Sequence, residues 1–329
     1  MKQLYPFKFE PIILDKMWGG SKLKDILHKP TSSDKAGESW EISGVDGNIS
    51  VVCNGYLESN NLEELIEVYL GDLVGDRIFD RFGMKFPLLI KYIDANDALS
   101  IQVHPDDELA MKRHKSFGKT EMWYIMQADE GSELIIGFNR EVNRELYLKH
   151  LNDKKLDAIL NKEPVKKGDV FFLPARRLHA IGPGILLAEI QQTSDITYRI
   201  YDFDRKDASG KSRELHTELA VDSIDYSHHK SYRTEYAEAI NQPSRIISCR
   251  YFTTNKLRLN RSLARNIIQL DCFVIYMCLE GACSVNSAGN DSVRLNMGET
   301  VLVPASLINY TLQPDPEATL LEVYIDNQS

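Results

Sequence analysis

The chain has 329 residues, 43% of them hydrophobic and 26% charged, which suits a globular protein of about two domains with a sizeable core. Its 39 basic residues are outnumbered by 48 acidic ones, a net charge of −9, so the basic excess that grips nucleic-acid phosphates is missing. A small phosphorylated substrate stays open, because a few local cations decide such binding. The opening Met1-Lys2-Gln3-Leu4-Tyr5-Pro6 holds no apolar core of signal-peptide length, and no apolar run is long enough to span a membrane. The cysteines (Cys53, Cys249, Cys272, Cys278 and Cys283) are odd in number and form no Cys-x-x-Cys pair. Reduced thiols in a cytoplasmic protein are the expectation, not a disulfide framework or a zinc knuckle.

In chain order, a helix is predicted first over 61–73, where Leu62, Leu65, Ile66, Tyr69 and Leu70 recur at helical spacing and Asn60 or Asn61 can cap. Short β-branched or aromatic runs at 86–93, 99–103 and 121–126 predict strands. The stretch 143–160, with Leu146, Leu148, Leu151, Leu156 and Ile159, predicts one helix or two short ones. Strands follow at 170–173 and 185–190, a helix at 214–224 with Leu215, Leu219, Ala220 and Ile224, and a strand at 273–277. The helices punctuate a β framework without alternating with it, which argues against a doubly wound α/β sheet.

An internal repeat sharpens the expectation. Gly168-Asp169-Val170-Phe171-Phe172-Leu173-Pro174 is followed five residues past the proline by His179; Gly298-Glu299-Thr300-Val301-Leu302-Val303-Pro304 is followed at the same offset by Asn309. Each copy runs on to an apolar strand containing a glutamate, Glu189 or Glu322, and each is preceded by a strand ending in Glu-Gly, at Glu130-Gly131 or Glu280-Gly281. The unit is a strand–turn–strand–turn–strand of jelly-roll type, so the fold class is mainly β: two cupin-like β-sandwich units with a few inserted helices. The first copy carries about twenty extra residues, the 143–160 insert, and the second has neither the histidine nor any counterpart of Gln102-Val103-His104. A catalytic unit over 1–229 and a degenerate unit without a metal site over 230–329 are expected, joined in the polar stretch around Ser227 to Ser231.

Gln102 and His104 are two apart on a predicted strand and so leave the same face. Glu121 begins another strand, and His179 follows the Pro174 turn. Each taken singly is more commonly a structural residue. Together, two imidazoles, a carboxylate and an amide oxygen suit Zn²⁺, with a position left for water or substrate.

A family resemblance adds to this reading. Gly168-x5-Pro174-x4-His179 resembles the second cupin motif, with Arg176 where many cupins have glycine. Ala98-Leu99-Ser100-Ile101-Gln102-Val103-His104-Pro105-Asp106 resembles the metal-binding signature of type I phosphomannose isomerases. Lys119-Thr120-Glu121 is similar to that family's Lys-x-Glu element, and Pro174-Ala175-Arg176-Arg177-Leu178-His179-Ala180 to its Pro-Ala-x-x-x-His-Ala element. The segment from Glu189 through Asp195 to Arg199 resembles the one that ends in the family's active-site arginine. Trp18-Gly19-Gly20, Gly37-Glu38-Ser39-Trp40 and the stretch from Tyr201 to His216 resemble its short bacterial branch.

The resemblance implies a single zinc held by His104, Glu121 and His179, with Gln102 as a further ligand, and interconversion of mannose 6-phosphate and fructose 6-phosphate through an enediol. Lys91, Lys119 and Glu189 are the candidates for the general base, with water also open. Lys91 and Lys119 resemble active-site lysines whose other possible tasks are phosphate binding and ring opening. Arg199 is the candidate for holding charge beside the reacting oxygens, against a structural pair with Asp195 or Asp202. Ser100, Lys119 and Trp18 are candidates for contacting substrate. Two rivals share the scaffold: a non-haem metal oxygenase, which also uses two histidines and a carboxylate, and a non-catalytic sugar-binding cupin.

Overall fold

Short β-branched and aromatic runs become strands throughout the computed structural model, which describes residues 2–207 and 209–326. In chain order these are β1 (Ile12–Gly20), β2 (Ala36–Ile42), a small ribbon of β3 (Gly44–Val45) and β4 (Asn48–Ile49), β5 (Leu88–Ala95), β6 (Ile101–Val103), β7 (Glu121–Ala128) and β8 (Glu133–Phe138). There follow β9 (Leu160–Pro164), β10 (Val170–Leu173), β11 (His179–Ile181), β12 (Ile185–Gln192) and β13 (Tyr198–Tyr201). The last seven are β14 (Ser244–Ser248), β15 (Thr253–Leu259), β16 (Leu263–Asn266), β17 (Val274–Asn286), β18 (Val293–Asn296), β19 (Thr300–Val303) and β20 (Asn309–Tyr324).

They assemble into three larger antiparallel sheets. The first has the order β1-β2-β5-β12-β7-β10 and the second β13-β6-β11-β8-β9. In the third, β14-β15-β20-β17-β18, the long strands β20 and β17 also pair with β16 and β19 respectively. Ile93, Trp123, Ile125, Leu187 and Phe171 of the first sheet share a core with Leu134, Ile136 and Ile181 of the second, which makes the first sandwich. The other face of the first sheet, through Tyr92, Met122 and Ile190, packs in one cluster with Ile275, Leu302 and Leu321 of the third. A sheet covered on both faces has no solvent side, so every residue of β12 is buried, the apolar Ile185–Ala188 and the polar Glu189, Gln191 and Gln192 alike.

Six α-helices punctuate the described chain: α1 (Lys22–Asp25), α2 (Leu62–Val74), α3 (Asp76–Phe82), α4 (Asp107–His114), α5 (Arg144–Asn152) and α6 (Thr217–Ser223). Asn61 caps α2 in a reciprocal box with Glu64, each side chain accepting from the other's backbone N–H. The predicted 143–160 helix is α5, capped by Asn143, then a single 3₁₀ turn at Leu156–Ala158; Leu160 already belongs to β9. Residues of α5 and α6, among them Tyr147 and Val221, cover the outer face of the second sheet at Ile101 and Val103.

The chain after α6 runs back along the first unit, where the Tyr232 hydroxyl donates to the Phe138 carbonyl at 3.1 Å. Phe7, near the other end, exchanges backbone hydrogen bonds of 2.8 and 2.9 Å with Leu302. All five cysteines are free thiols. Among the described residues no helix is long and apolar enough to cross a membrane.

Candidate metal centre

The first two sheets meet at a polar cluster. Glu121 opens β7 in the first sheet; in the second, Gln102 of β6 and His179 at the start of β11 lie opposite each other. His104 stands one residue past β6, not within it, because Pro105 follows and has no N–H with which to continue a ladder. His104, Glu121 and His179 are buried, and their ligating atoms all lie within 4.8 Å of one another.

Each imidazole is oriented from behind. Nδ1 of His104 lies 2.8 Å from the Ile196 carbonyl oxygen and Nδ1 of His179 lies 2.8 Å from that of Arg177. A carbonyl only accepts, so each Nδ1 carries the proton and each Nε2 keeps its lone pair. Those Nε2 atoms lie 3.6 and 3.3 Å from the Glu121 carboxylate. Burial, then the Lys119 ammonium, disfavour the charged imidazole: His104 falls well below the ordinary histidine range and His179 is pulled down to about 4. Burial also raises the Glu121 carboxyl in spite of Lys119.

Oε1 of Glu121 is buried and accepts no hydrogen bond. The Lys119 ammonium binds Oε2 of Glu121 and lies 3.3 Å from His104 Nε2, so a cation already fits between two of the three ligand candidates. Two neutral imidazoles and a carboxylate with an unspent oxygen suit a divalent metal ion. The Gln102 amide nitrogen is 3.3 Å from His179 Nε2, at the edge of the same cluster.

Strand register carries a second group beside it. Trp40, Lys91, Glu189, Trp123 and Phe171 face one another in a single row across β2, β5, β12, β7 and β10. Trp123 Nε1 donates to Glu189 Oε1 at 2.8 Å, and Lys119 Nζ lies 4.0 Å from the same oxygen. Lys91 Nζ is 3.2 Å from Glu189 Oε2, which is nonetheless left without an aligned hydrogen bond. Burial would raise the Glu189 carboxyl, but Lys119 and Lys91 outweigh it and hold the group below the usual carboxylate range.

A cavity of about 410 Å³ opens onto this second group and is lined by Trp18, Ser100, Gln102, Lys119, Glu189 and Arg199, of which Gln102 and Lys119 touch the triad behind. Arg199 is not paired with Asp195 or Asp202: the Asp202 carboxylate is taken by Arg205 and Arg213. Its Nη1 donates to the Glu214 carbonyl at 2.9 Å, while its Nε is buried with no partner. Arg213 also lines the cavity, a cation the sequence reading did not single out. A wider groove of about 690 Å³ has its cations already spent, Lys256 and Arg258 on Glu238 and Lys167 on Glu280.

Of the sequence-predicted site residues, Trp18, Lys91, Ser100, Gln102, Lys119, Glu189 and Arg199 line this cavity, while His104, Glu121 and His179 lie behind its wall in contact with Lys119 and Gln102. Comparison with known proteins shows the family. A family model described as the type I phosphomannose isomerase catalytic domain matches residues 7–138. The mannose-6-phosphate isomerase ManA of Bacillus subtilis is 36% identical over 314 residues, covering 94% of this chain and 96% of that protein. The chain belongs to the type I phosphomannose isomerase family. Another phosphomannose isomerase, that of Streptococcus mutans, is 34% identical over the same shares of both chains. The crystal structure of a Bacillus subtilis mannose 6-phosphate isomerase superposes with a TM-score of 0.87 at 30% identity, over 97% of this chain and 99% of that one. The mainly β architecture with inserted helices is that of a phosphomannose isomerase, and the His104–Glu121–His179 cluster lies where its metal chemistry requires buried donors.

Proposed function

We propose that the chain interconverts mannose 6-phosphate and fructose 6-phosphate through an enediol, with zinc held by His104, Glu121 and His179 and with Gln102 beside them. The observation that carries this reading is the buried triad, with Glu121 Oε1 unspent, set behind a cavity lined by Arg199, Lys91, Lys119 and Glu189. When bound, the metal supplies Lewis acidity that polarises the substrate carbonyl and favours the developing oxyanion.

The protein's own groups do the rest. The Ile196 and Arg177 carbonyls fix both imidazole rings before any ligand arrives. Glu189 Oε2, ionised and without an aligned donor, takes the proton that moves between C2 and C1. Arg199 keeps its charge through the cycle and holds the anionic oxygens, with Ser100 and Lys119 contacting the substrate and Trp18 lining its apolar side.

Catalysis is assigned to residues 1–229 and a supporting role to 230–329, because the three-residue metal cluster found among the described residues lies wholly in the first range. Five free thiols and a phosphorylated metabolite suit a cytoplasmic enzyme. A coupled assay with mannose 6-phosphate tests the proposal: turnover should vanish in chelator and return with zinc. Absence of turnover by the metal-loaded protein, or oxygen uptake in its place, would overturn it.

A further inference from the structure

Glu38 breaks the pattern of its surroundings. Across the first sheet it falls in a row with Leu14, Ile93, Leu187 and Ile125, an acid alone among aliphatic neighbours. An ionised carboxylate in such a place is costly unless partners hold it. Three do. Trp40 Nε1 donates to Oε2 at 2.6 Å, Lys16 Nζ lies 3.2 Å from Oε1, and Lys91 Nζ lies 3.8 Å from Oε2. Burial would raise the Glu38 carboxyl, but Lys91, Lys16 and Trp40 together bring it below its ordinary value.

Lys91 is thus suspended between two carboxylates, Glu189 at 3.2 Å and Glu38 at 3.8 Å, with its ammonium 5.0 Å from the centre of the Trp40 ring. Glu189 Oε2 has no aligned donor although Lys91 is so near. The pull toward Glu38 and the Trp40 face accounts for this, since an ammonium facing one carboxylate alone would settle onto it with a direct hydrogen bond.

We infer that Glu38 is a positioning residue: it acts through Lys91, sharing that ammonium so that it lies 3.2 Å from Glu189 Oε2 without aligning on it, which leaves that oxygen's lone pair for the proton carried during isomerisation. Without the Glu38 charge, Lys91 closes on Glu189 and occupies the lone pair. The inference rests on the isomerase reading above, which turnover of mannose 6-phosphate by the unsubstituted protein tests by itself.

The inference is tested with variants of the metal-loaded protein. Glu38→Gln keeps the side chain's shape and an acceptor for Trp40 but removes the charge; it should lower kcat by about tenfold or more, the scale of a misplaced catalytic group, with metal content and Tm unchanged. Glu38→Asp is shorter but charged and should recover most of that loss, whereas a packing role would make Gln the milder change. In a Lys91→Met background, Glu38→Gln should cost less than about twofold, because residues that act as one unit are not additive. Equal losses in both backgrounds, Asp worse than Gln, or a Glu38→Gln enzyme with unchanged kcat would each overturn the inference.

Discussion

The two units can be compared position by position, because their registers match. Glu121 pairs with Leu173 just before Pro174, and Val274 pairs with Val303 just before Pro304. Glu189 faces Trp123 and Lys91, while Glu322 faces Tyr276 and Asn255. His179 faces Gln102, and Asn309 faces Asn266. The second unit thus keeps the scaffold and one glutamate but replaces the metal carboxylate, the histidine and the lysine by neutral residues.

The hydrogen-bond accounts differ accordingly. Glu322 is saturated: Arg265 at 2.5 Å and the Tyr276 hydroxyl at 2.8 Å donate to one oxygen, and Asn255 at 2.8 Å to the other. In the first unit, Glu121 Oε1, Glu189 Oε2 and Arg199 Nε are all buried and unspent. Buried polar atoms without partners cost stability, so a region that keeps several of them together has them reserved for a ligand. The second unit also buries unpaired atoms, at Thr254, Arg265 and Thr300, but no carboxylate oxygen among them; the open carboxylates of the described residues all lie in the first copy.

The sharpest way to break this comparison is to delete matched ligands. His104→Ala or His179→Ala should remove metal and lower turnover by about 10³-fold or more, whereas Asn309→Ala should leave both unchanged. Elemental analysis beside the coupled assay reads this. Retention of metal and turnover in either histidine variant would remove that residue from the ligand set.

Arg199→Ala should lower kcat by about 10²-fold while metal content and Tm hold, because the arginine forms no ion pair with Asp195 or Asp202. A rise in KM alone would assign it to ground-state binding.

The matched glutamates should fail in opposite ways. Glu322→Gln breaks a saturated buried pair with Arg265 and should cost about 3 kcal/mol in urea unfolding, while leaving kcat of the folded enzyme intact. Glu189→Gln should lower kcat with a smaller loss of stability. Exchanged outcomes would mean that the second unit holds the working carboxylate.

The smallest effect expected is on pH. Metal binding needs the Glu121 carboxylate, whose pKa burial raises, and two imidazoles, of which His179 is already neutral above about pH 4 and His104 lies well below its ordinary range. Affinity should therefore weaken as pH falls toward the raised Glu121 pKa, about tenfold per unit below it, with one proton taken up per ion released. Uptake of three protons in that window, read by titration calorimetry in two buffers, would mean that the histidines are charged as well.

Much of this site could be read from the sequence because it is carried by spacing that register preserves. The offset from Pro174 to His179, matched at Asn309, aligns the two units from sequence alone. Other elements left weaker marks. Helix α4 has only Leu109, Ala110 and Met111 as apolar residues, consecutive and so without a helical period; its other signals are Asp106, which caps Leu109 N–H, acids in its first turn and Lys112, Arg113 and His114 in its last. The predicted helix over 143–160 is cut short because the leucines after Asn152 pack as a turn and then as β9, a tertiary choice that periodicity cannot express. Glu38 lay in a segment singled out by resemblance, yet its role depends on Ile93 and Leu187 being its cross-strand row, which only the fold defines.

One titration tests the central claim that a single open site in the first unit carries the chemistry. Protein stripped by chelator is given zinc in fractions of an equivalent, and turnover of mannose 6-phosphate is followed. Turnover should rise linearly and stop at one equivalent per chain. Saturation at two equivalents, or full turnover before any metal is added, would contradict the account.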